Sequence, residues 1–180
     1  MGTTLTAVAL QGSQLHIAHV GDSRAYLLRG GKLEMLTQDH SLVGEMMREG
    51  SLTEAQARVH PRRSTLTRAL GIAGDVEVDV SEILVRPGDR ILLCSDGLSG
   101  MVEDPRIREI LSRETDLDRA CAALIAEANT NGGVDNITTV IVDLAAEEGD
   151  DPAPVEPRPP GPLESPSGKI GLLRRLFKKK

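Results

Sequence analysis

Residues Arg90–Gly100 read RILLCSDGLSG, and this stretch decides the fold. Four apolar residues, Ile91, Leu92, Leu93 and Cys94, follow one another without alternation, the pattern of a strand buried on both faces. The strand stops at Ser95-Asp96-Gly97, where the glycine permits a sharp exit turn. A buried strand that delivers a carboxylate to its own end must pair that charge or give it to a cation. Asp22 in HVGDSRAY and Asp135 in NGGVDNITTV stand at comparable junctions, each beside a glycine and within a residue or two of a strand. Any one of the three, taken alone, also reads as ordinary Gly-Asp or Asp-Gly turn chemistry. Together, at three strand ends, they point to one shared cation site.

Working outward, Val76–Val85 reads as the preceding strand, and Arg86-Pro87-Gly88-Asp89 as a type II turn feeding Arg90. Earlier still, Thr3–Leu10, Gln14–Val20, Arg24–Arg29 and Lys32–Thr37 form a meander, with tight turns at Gly12-Ser13 and Gly30-Gly31. Between meander and strand, residues 41–75 form a helical excursion. Ser41 caps a short helix that carries Leu42, Val43, Met46 and Met47 and ends at Gly50. Thr53 with Gln56 gives a capping box for a second helix that His60-Pro61 stops, and the basic link HPRRSTLTRALG follows. Beyond the central strand, Asp104-Pro105 reads as an N-cap followed by proline at the first helical position, with Ile107, Ile110 and Leu111 as an apolar stripe. Leu117, Ala120, Cys121, Leu124, Ile125 and Ala128 share one face of the next helix, which Asn131-Gly132-Gly133 ends. Ile137–Leu144 is a last strand, apolar on both faces. Doubly buried strands with amphipathic helices imply two sheets packed face to face and helices outside them.

The runs GTTLTAV, HVGDSRAYLLR, LTQDHS, GDRILLCSDGLSG and GGVDNITTVIV resemble, in sequence and spacing, the second half of the metal-dependent protein serine/threonine phosphatases, the PPM or type 2C family, with the bacterial branch as the nearest match. The resemblance covers Met1 to about Leu144. It implies an α+β fold, a partial α-β-β-α sandwich of two antiparallel sheets flanked by helices, with the N-terminal portion of the family domain missing. It also implies Mn²⁺ or Mg²⁺ as cofactor, two or three ions in the intact domain, and hydrolysis of phosphoserine and phosphothreonine by a metal-activated water. Asp96 and Asp135 match ligands of the second catalytic ion, and Asp22 matches the position that holds an extra ion with Asp96. Gly21, Ser23, Gly97 and Asn136 then support the site. Residues 41–75 take the place of the family's flap, with His60, Arg62 and Arg63 as substrate-side candidates. The family's phosphate-gripping arginine, its acidic residue upstream, and the Asp-Gly-x-Gly-Gly run whose aspartate bridges both metals find no counterpart, because Met1 leads directly into the matching Gly-Thr-Thr. The expectation is a chain impaired on its own, or, alternatively, a catalytically inactive module that binds a phosphoprotein or regulator.

Composition agrees with an oxygen-ligand site in a single acidic domain. The 180 residues carry a formal net charge of −6, which argues against a nucleic-acid surface. Tyr26 and Phe177 are the only aromatic residues, so the core must be aliphatic. No His or Cys cluster has zinc spacing, and Cys94 and Cys121 read as small buried hydrophobes in a reducing compartment. No leader and no bilayer-spanning apolar run stands out, so the expected place is cytoplasmic. The domain is expected over residues 1–146, as a monomer acting on a phosphorylated protein, such as a Ser/Thr kinase. Glu147–Gly168 holds seven of the ten prolines and six acidic residues, the composition of a disordered linker. Lys169–Lys180, KIGLLRRLFKKK, carries six positive charges, no negative ones and five large apolar residues, which suits peripheral contact with an anionic membrane at its inner face.

Overall fold

The computed structural model describes residues 1–145; the expected linker and basic tail lie outside them. In chain order the elements are β1 (Leu5–Gln11), β2 (Gln14–Val20), β3 (Arg24–Arg29), β4 (Lys32–Met35), α1 (Leu42–Arg48) and α2 (Glu54–Arg58). They continue with β5 (Asp79–Leu84), β6 (Arg90–Cys94), α3 (Asp96–Ser99), α4 (Asp104–Arg113), α5 (Leu117–Thr130) and β7 (Thr139–Asp143). All strand pairs are antiparallel and make two sheets, β1-β2-β5 and β4-β3-β6-β7.

The central strand β6 is buried on both sides, as its unbroken apolar run requires. Ile91 packs with Leu15 and Ile17 of β2 and Leu27 of β3 in the layer between the sheets. Leu92 and Cys94 face the other way, into a larger cluster with Tyr26, Ile107 and Ile110 of α4 and Leu124 of α5. Tyr26, Leu92, Ile107 and Leu124 are fully buried, and each such side chain contributes about 1.5–3 kcal/mol of hydrophobic stabilisation. Cys94 belongs to this core, and burial pushes its thiol up to about 12; Cys121 is half-buried beside it.

Several local expectations are met and several are corrected. Ser41 caps α1 by accepting from the Gly44 N–H, and Thr53 and Gln56 form the capping box of α2. β5 and β7 are shorter than Val76–Val85 and Ile137–Leu144, because their partners run out: Asp79 pairs with His19 and Thr139 with Cys94. Asp104 is not the N-cap of α4; Glu103 is, and the Asp104 carboxylate instead accepts from the Tyr26 hydroxyl at 3.1 Å. The Asp96-Gly97 exit is one turn of helix, α3, rather than a simple turn. Val140 and Val142 of β7 are exposed, so this strand buries only one face. Helices α4 and α5 cover the four-stranded sheet, whereas the other sheet leaves Leu5, Val80 and Leu84 exposed on its outer face.

Candidate metal centre

Asp22, Asp96 and Asp135 are brought to one cleft of about 130 Å³, lined also by Asp39, Arg58 and Arg63. Each carboxylate is delivered by a different loop, and each loop is fixed by its own hydrogen bonds. Asp22 lies in the turn from β2 to β3. Gly21 there has φ of +115°, and a side chain on it would overlap Thr4. Ser23 shares a hydrogen bond with Thr4 Oγ1 at 2.9 Å, and its carbonyl accepts from Thr6 Oγ1 at 3.0 Å. Asp96 opens α3 at the end of β6. Ser95 joins that end to the loop of Asp135, since its hydroxyl donates to the Asn136 carbonyl at 3.1 Å and accepts from the Thr138 N–H at 3.0 Å. Gly97 lies flat against Asn136, so close that a Cβ would overlap the Asn136 carbonyl oxygen and sit 3.0 Å from its carbonyl carbon. Asp135 accepts from the N–H of Asn136 at 2.6 Å.

These carboxylates push against one another. Burial, and then the negative charge of Asp96, raises Asp22 to about 6. Burial, and then Asp135, raises Asp96 above the usual carboxylate range. Among the described residues none of the three forms an ion pair. Of the arginines that line the cleft, Arg24 is already committed: it grips Asp39 through Nε at 2.9 Å and Nη2 at 2.7 Å, and donates through Nη1 to the Tyr26 hydroxyl at 3.0 Å. Mutually repelling, unpaired carboxylates with oxygen donors only are the environment a hard divalent cation relieves. The chemistry of Asp22, Asp96 and Asp135 suits such an ion, although among the described residues no group of three His, Cys, Asp or Glu side chains stands close enough together to hold one.

Of the substrate-side candidates, Arg63 lines the cleft. His60 and Arg62 do not; the His60 ring accepts from the Arg62 N–H in a local turn. Asp39 and Arg58 were not singled out from the sequence. Asp39 sits in LTQDHS, in a loop that the bond from the His40 N–H to the Gly21 carbonyl lays beside the turn of Asp22, and its carboxylate is held by Arg24. Arg58 reaches from α2 to the carbonyl of Ser99 at 3.1 Å and to Glu54 at 2.8 Å, tying the excursion 41–75 to α3.

Three carboxylates thus converge on one cleft of the antiparallel sandwich. The comparisons make this specific. The profile of Protein phosphatase 2C matches residues 1–49, and that of Stage II sporulation protein E residues 49–151. A serine/threonine phosphatase stp of Listeria monocytogenes is 47% identical over 143 residues, which is 79% of this chain and 57% of the relative. The Mycobacterium tuberculosis serine/threonine phosphatase PstP/Ppp superposes with a TM-score of 0.76 at 44% identity, over 81% of this chain and 61% of that one. A catalytic domain of PstP solved with two manganese ions superposes with a TM-score of 0.74 at 40% identity, over 81% and 60%. The chain belongs to the PPM, or type 2C, protein phosphatase family. It spans somewhat more than half the length of these relatives.

Proposed function

We propose that this chain carries the Asp22–Asp96–Asp135 part of the metal site of a protein phosphatase that hydrolyses phosphoserine and phosphothreonine esters. The observation that carries the reading is the convergence on one cleft of three carboxylates that form no ion pair among the described residues, two of them raised above their ordinary pKa by burial and by a neighbouring carboxylate. Their oxygen-only chemistry suits Mn²⁺ or Mg²⁺. Such ions, when bound, supply an activated water and screen the charge of the phosphoryl group. The protein's own part is to hold the ligands. Ser95 and Gly97 keep Asp96 against the loop of Asp135, and the Thr4 and Thr6 hydroxyls keep Ser23, and so Asp22, in place. Arg63 forms no ion pair among the described residues and lines the same cleft, where it would meet a phosphate. Val43, Met47, Met101 and Val134 give the cleft an apolar wall that a polypeptide can lie on, which supports a protein rather than a small phosphoester as substrate. A phosphorylated kinase or one of its targets fits that description, and cytoplasmic phosphoproteins are the substrates we expect.

The aspartate that the family resemblance requires to bridge two ions has no counterpart in this sequence. The test is therefore Mn²⁺-dependent phosphate release from a phosphothreonine peptide by this chain and by the chain joined to the part of the listerial relative that it does not match. The chain itself should release negligible phosphate, the joined protein should turn over, and Asp96→Asn should abolish that turnover. Turnover untouched by Asp96→Asn would refute the reading. A second reading, a module that binds phosphoproteins without hydrolysing them, is favoured by the absence of a closed three-ligand cluster among the described residues. Peptide binding by the joined protein without turnover would select it.

A further inference from the structure

His40 is buried to 1% exposure, yet no role in the cleft has been given to it. Its ring is fully hydrogen-bonded, and the bonds run to two separate parts of the molecule. On one side the Gly21 N–H donates to His40 Nδ1 at 3.2 Å, while the backbone N–H of His40 donates to the Gly21 carbonyl at 2.7 Å. This reciprocal clasp holds both polar groups of the residue immediately before Asp22. On the other side, because Nδ1 accepts, the neutral ring carries its proton on Nε2 and donates it to Asp79 Oδ2 at 3.0 Å. Asp79 Oδ1 in turn accepts from Arg68 at 2.7 Å, and the His40 carbonyl accepts from the Thr67 N–H at 2.9 Å. Arg68 and Thr67 lie in the basic link that returns from the excursion over residues 41–75. The second buried histidine, His19, lies beside the ring at a centroid distance of 4.8 Å, the two planes tilted by 39°.

We propose that His40 is a positioning residue for Asp22, holding the Gly21–Asp22 turn in register with the return of the flap-like excursion. This rests on the metal-site reading given above. The Thr4 and Thr6 hydroxyls hold the turn only at Ser23, after Asp22. Without the bond to Nδ1 the Gly21 end is held by the backbone half of the clasp alone and can shift, and a shift of a few tenths of an ångström takes a carboxylate out of coordination range. An apolar side chain of similar volume would fill the space but leave the Gly21 N–H buried without a partner.

Two amide variants separate positioning from filling. The side-chain oxygen of Asn falls near the place of Nδ1, so His40→Asn keeps an acceptor for Gly21 and loses the bond to Asp79. The longer Gln reaches the place of Nε2, so His40→Gln keeps a donor for Asp79 and loses the side-chain half of the Gly21 clasp, leaving the Gly21 N–H without its acceptor. Calorimetric titration of Mn²⁺ into the full chain, the two His40 variants and Asp22→Asn should show binding in the unmodified chain and a reduced signal in Asp22→Asn. His40→Gln should bind about tenfold more weakly, in the range of outer-shell substitutions at metal sites, and His40→Asn within about twofold of the unmodified chain. A purely structural role would lower thermal stability in both variants without splitting their affinities. Equal affinities in His40→Gln and the unmodified chain, or equal losses in both variants, would overturn the proposal. Failure of the unmodified chain to bind Mn²⁺ would overturn the metal-site reading, and the proposal with it. If His40→Gln does not fold, long-range ¹H–¹⁵N spectra of the unmodified protein decide: an Nε2–H tautomer of His40 is expected, and an Nδ1–H tautomer overturns the clasp.

Discussion

Gly97→Ala is the substitution that most directly probes how two of the carboxylates are held together. The added methyl would overlap the Asn136 carbonyl oxygen and lie 3.0 Å from its carbonyl carbon, and both of these are backbone atoms that no rotamer change can move aside. Relieving the overlap shifts either α3 or the loop of Asp135 by on the order of 1 Å. Overpacking of this kind costs about 1–3 kcal/mol, which in a domain of this size lowers the melting temperature by roughly 3–10 °C. The effect on metal binding is larger in kind, because ligands must stay within about 0.2 Å of their positions. Asp96 and Asp135 flank the contact on its two sides, so a shift of that size separates them and should weaken Mn²⁺ binding at least about tenfold, or about 1.4 kcal/mol. The control is Gly74→Ala, where an added methyl meets nothing within 4 Å and φ is not in the left-handed region; it should change neither property. Circular dichroism melting and Mn²⁺ calorimetry on the three proteins measure both effects. A Gly97→Ala variant that melts lower but binds Mn²⁺ like the unmodified chain would refute the idea that this contact sets the distance between the carboxylates.

Other consequences follow from the ion pairs and buried histidines. Asp89, 2% exposed, accepts from Arg29 at 2.8 Å and from the Arg86 N–H at 2.9 Å; Asp89→Ala should destabilise by about 2–3 kcal/mol, below the usual loss for a broken buried pair because Arg29 remains 34% exposed, and an unchanged urea midpoint would contradict this. His19 is held below its ordinary pKa of 6.5, chiefly by burial and then by His40, so the unfolded chain takes up that proton first. Its contribution to stability is complete above about pH 6.5, begins to be lost below it and is gone once the pH has fallen through the lower pKa of the folded state, and His19→Gln should flatten this fall of the urea midpoint below pH 6.5. Lys169–Lys180, with six positive charges, should make the full chain sediment with phosphatidylserine vesicles and not with neutral ones, each charge contributing about 1 kcal/mol, and removal of residues after Gly168 should abolish the difference.

What could be read from the sequence was mostly what short-range chemistry dictates. The β6 run Arg90–Cys94, the Ser41 cap and the Thr53–Gln56 box depend on neighbours within a few residues, and each is found where the pattern put it. The placement of Asp22 and Asp96 was legible for the same reason, since each sits at an abrupt change from apolar strand to glycine turn, whereas Asp135 stands not at a strand end but in the loop between α5 and β7, which begins only at Thr139. Features set by distant partners were not legible. Asp104 looks like a cap beside Pro105, but Tyr26, 78 residues away, takes up its carboxylate. The lengths of β5 and β7 follow from where β2 and β6 end, which no property of Val76–Asp79 or Ile137–Thr139 announces. Four residues of α3 are too few to show helical periodicity; what places them is the burial of Leu98 and the contact of Gly97 with Asn136. Asp39 and His40 come to the turn after β2 because the loop after β4 folds back over it, and Arg24 then takes up the Asp39 carboxylate.

The central claim is that Asp22, Asp96 and Asp135 form one divalent-cation site. Anomalous diffraction at the manganese edge, from crystals of the full chain grown with Mn²⁺, tests it most directly. The account predicts an anomalous peak in the cleft within coordination range of Asp96 and at least one of the other two carboxylates, absent from crystals of Asp96→Asn. A cleft without a peak, or a peak that survives Asp96→Asn unchanged, would contradict it.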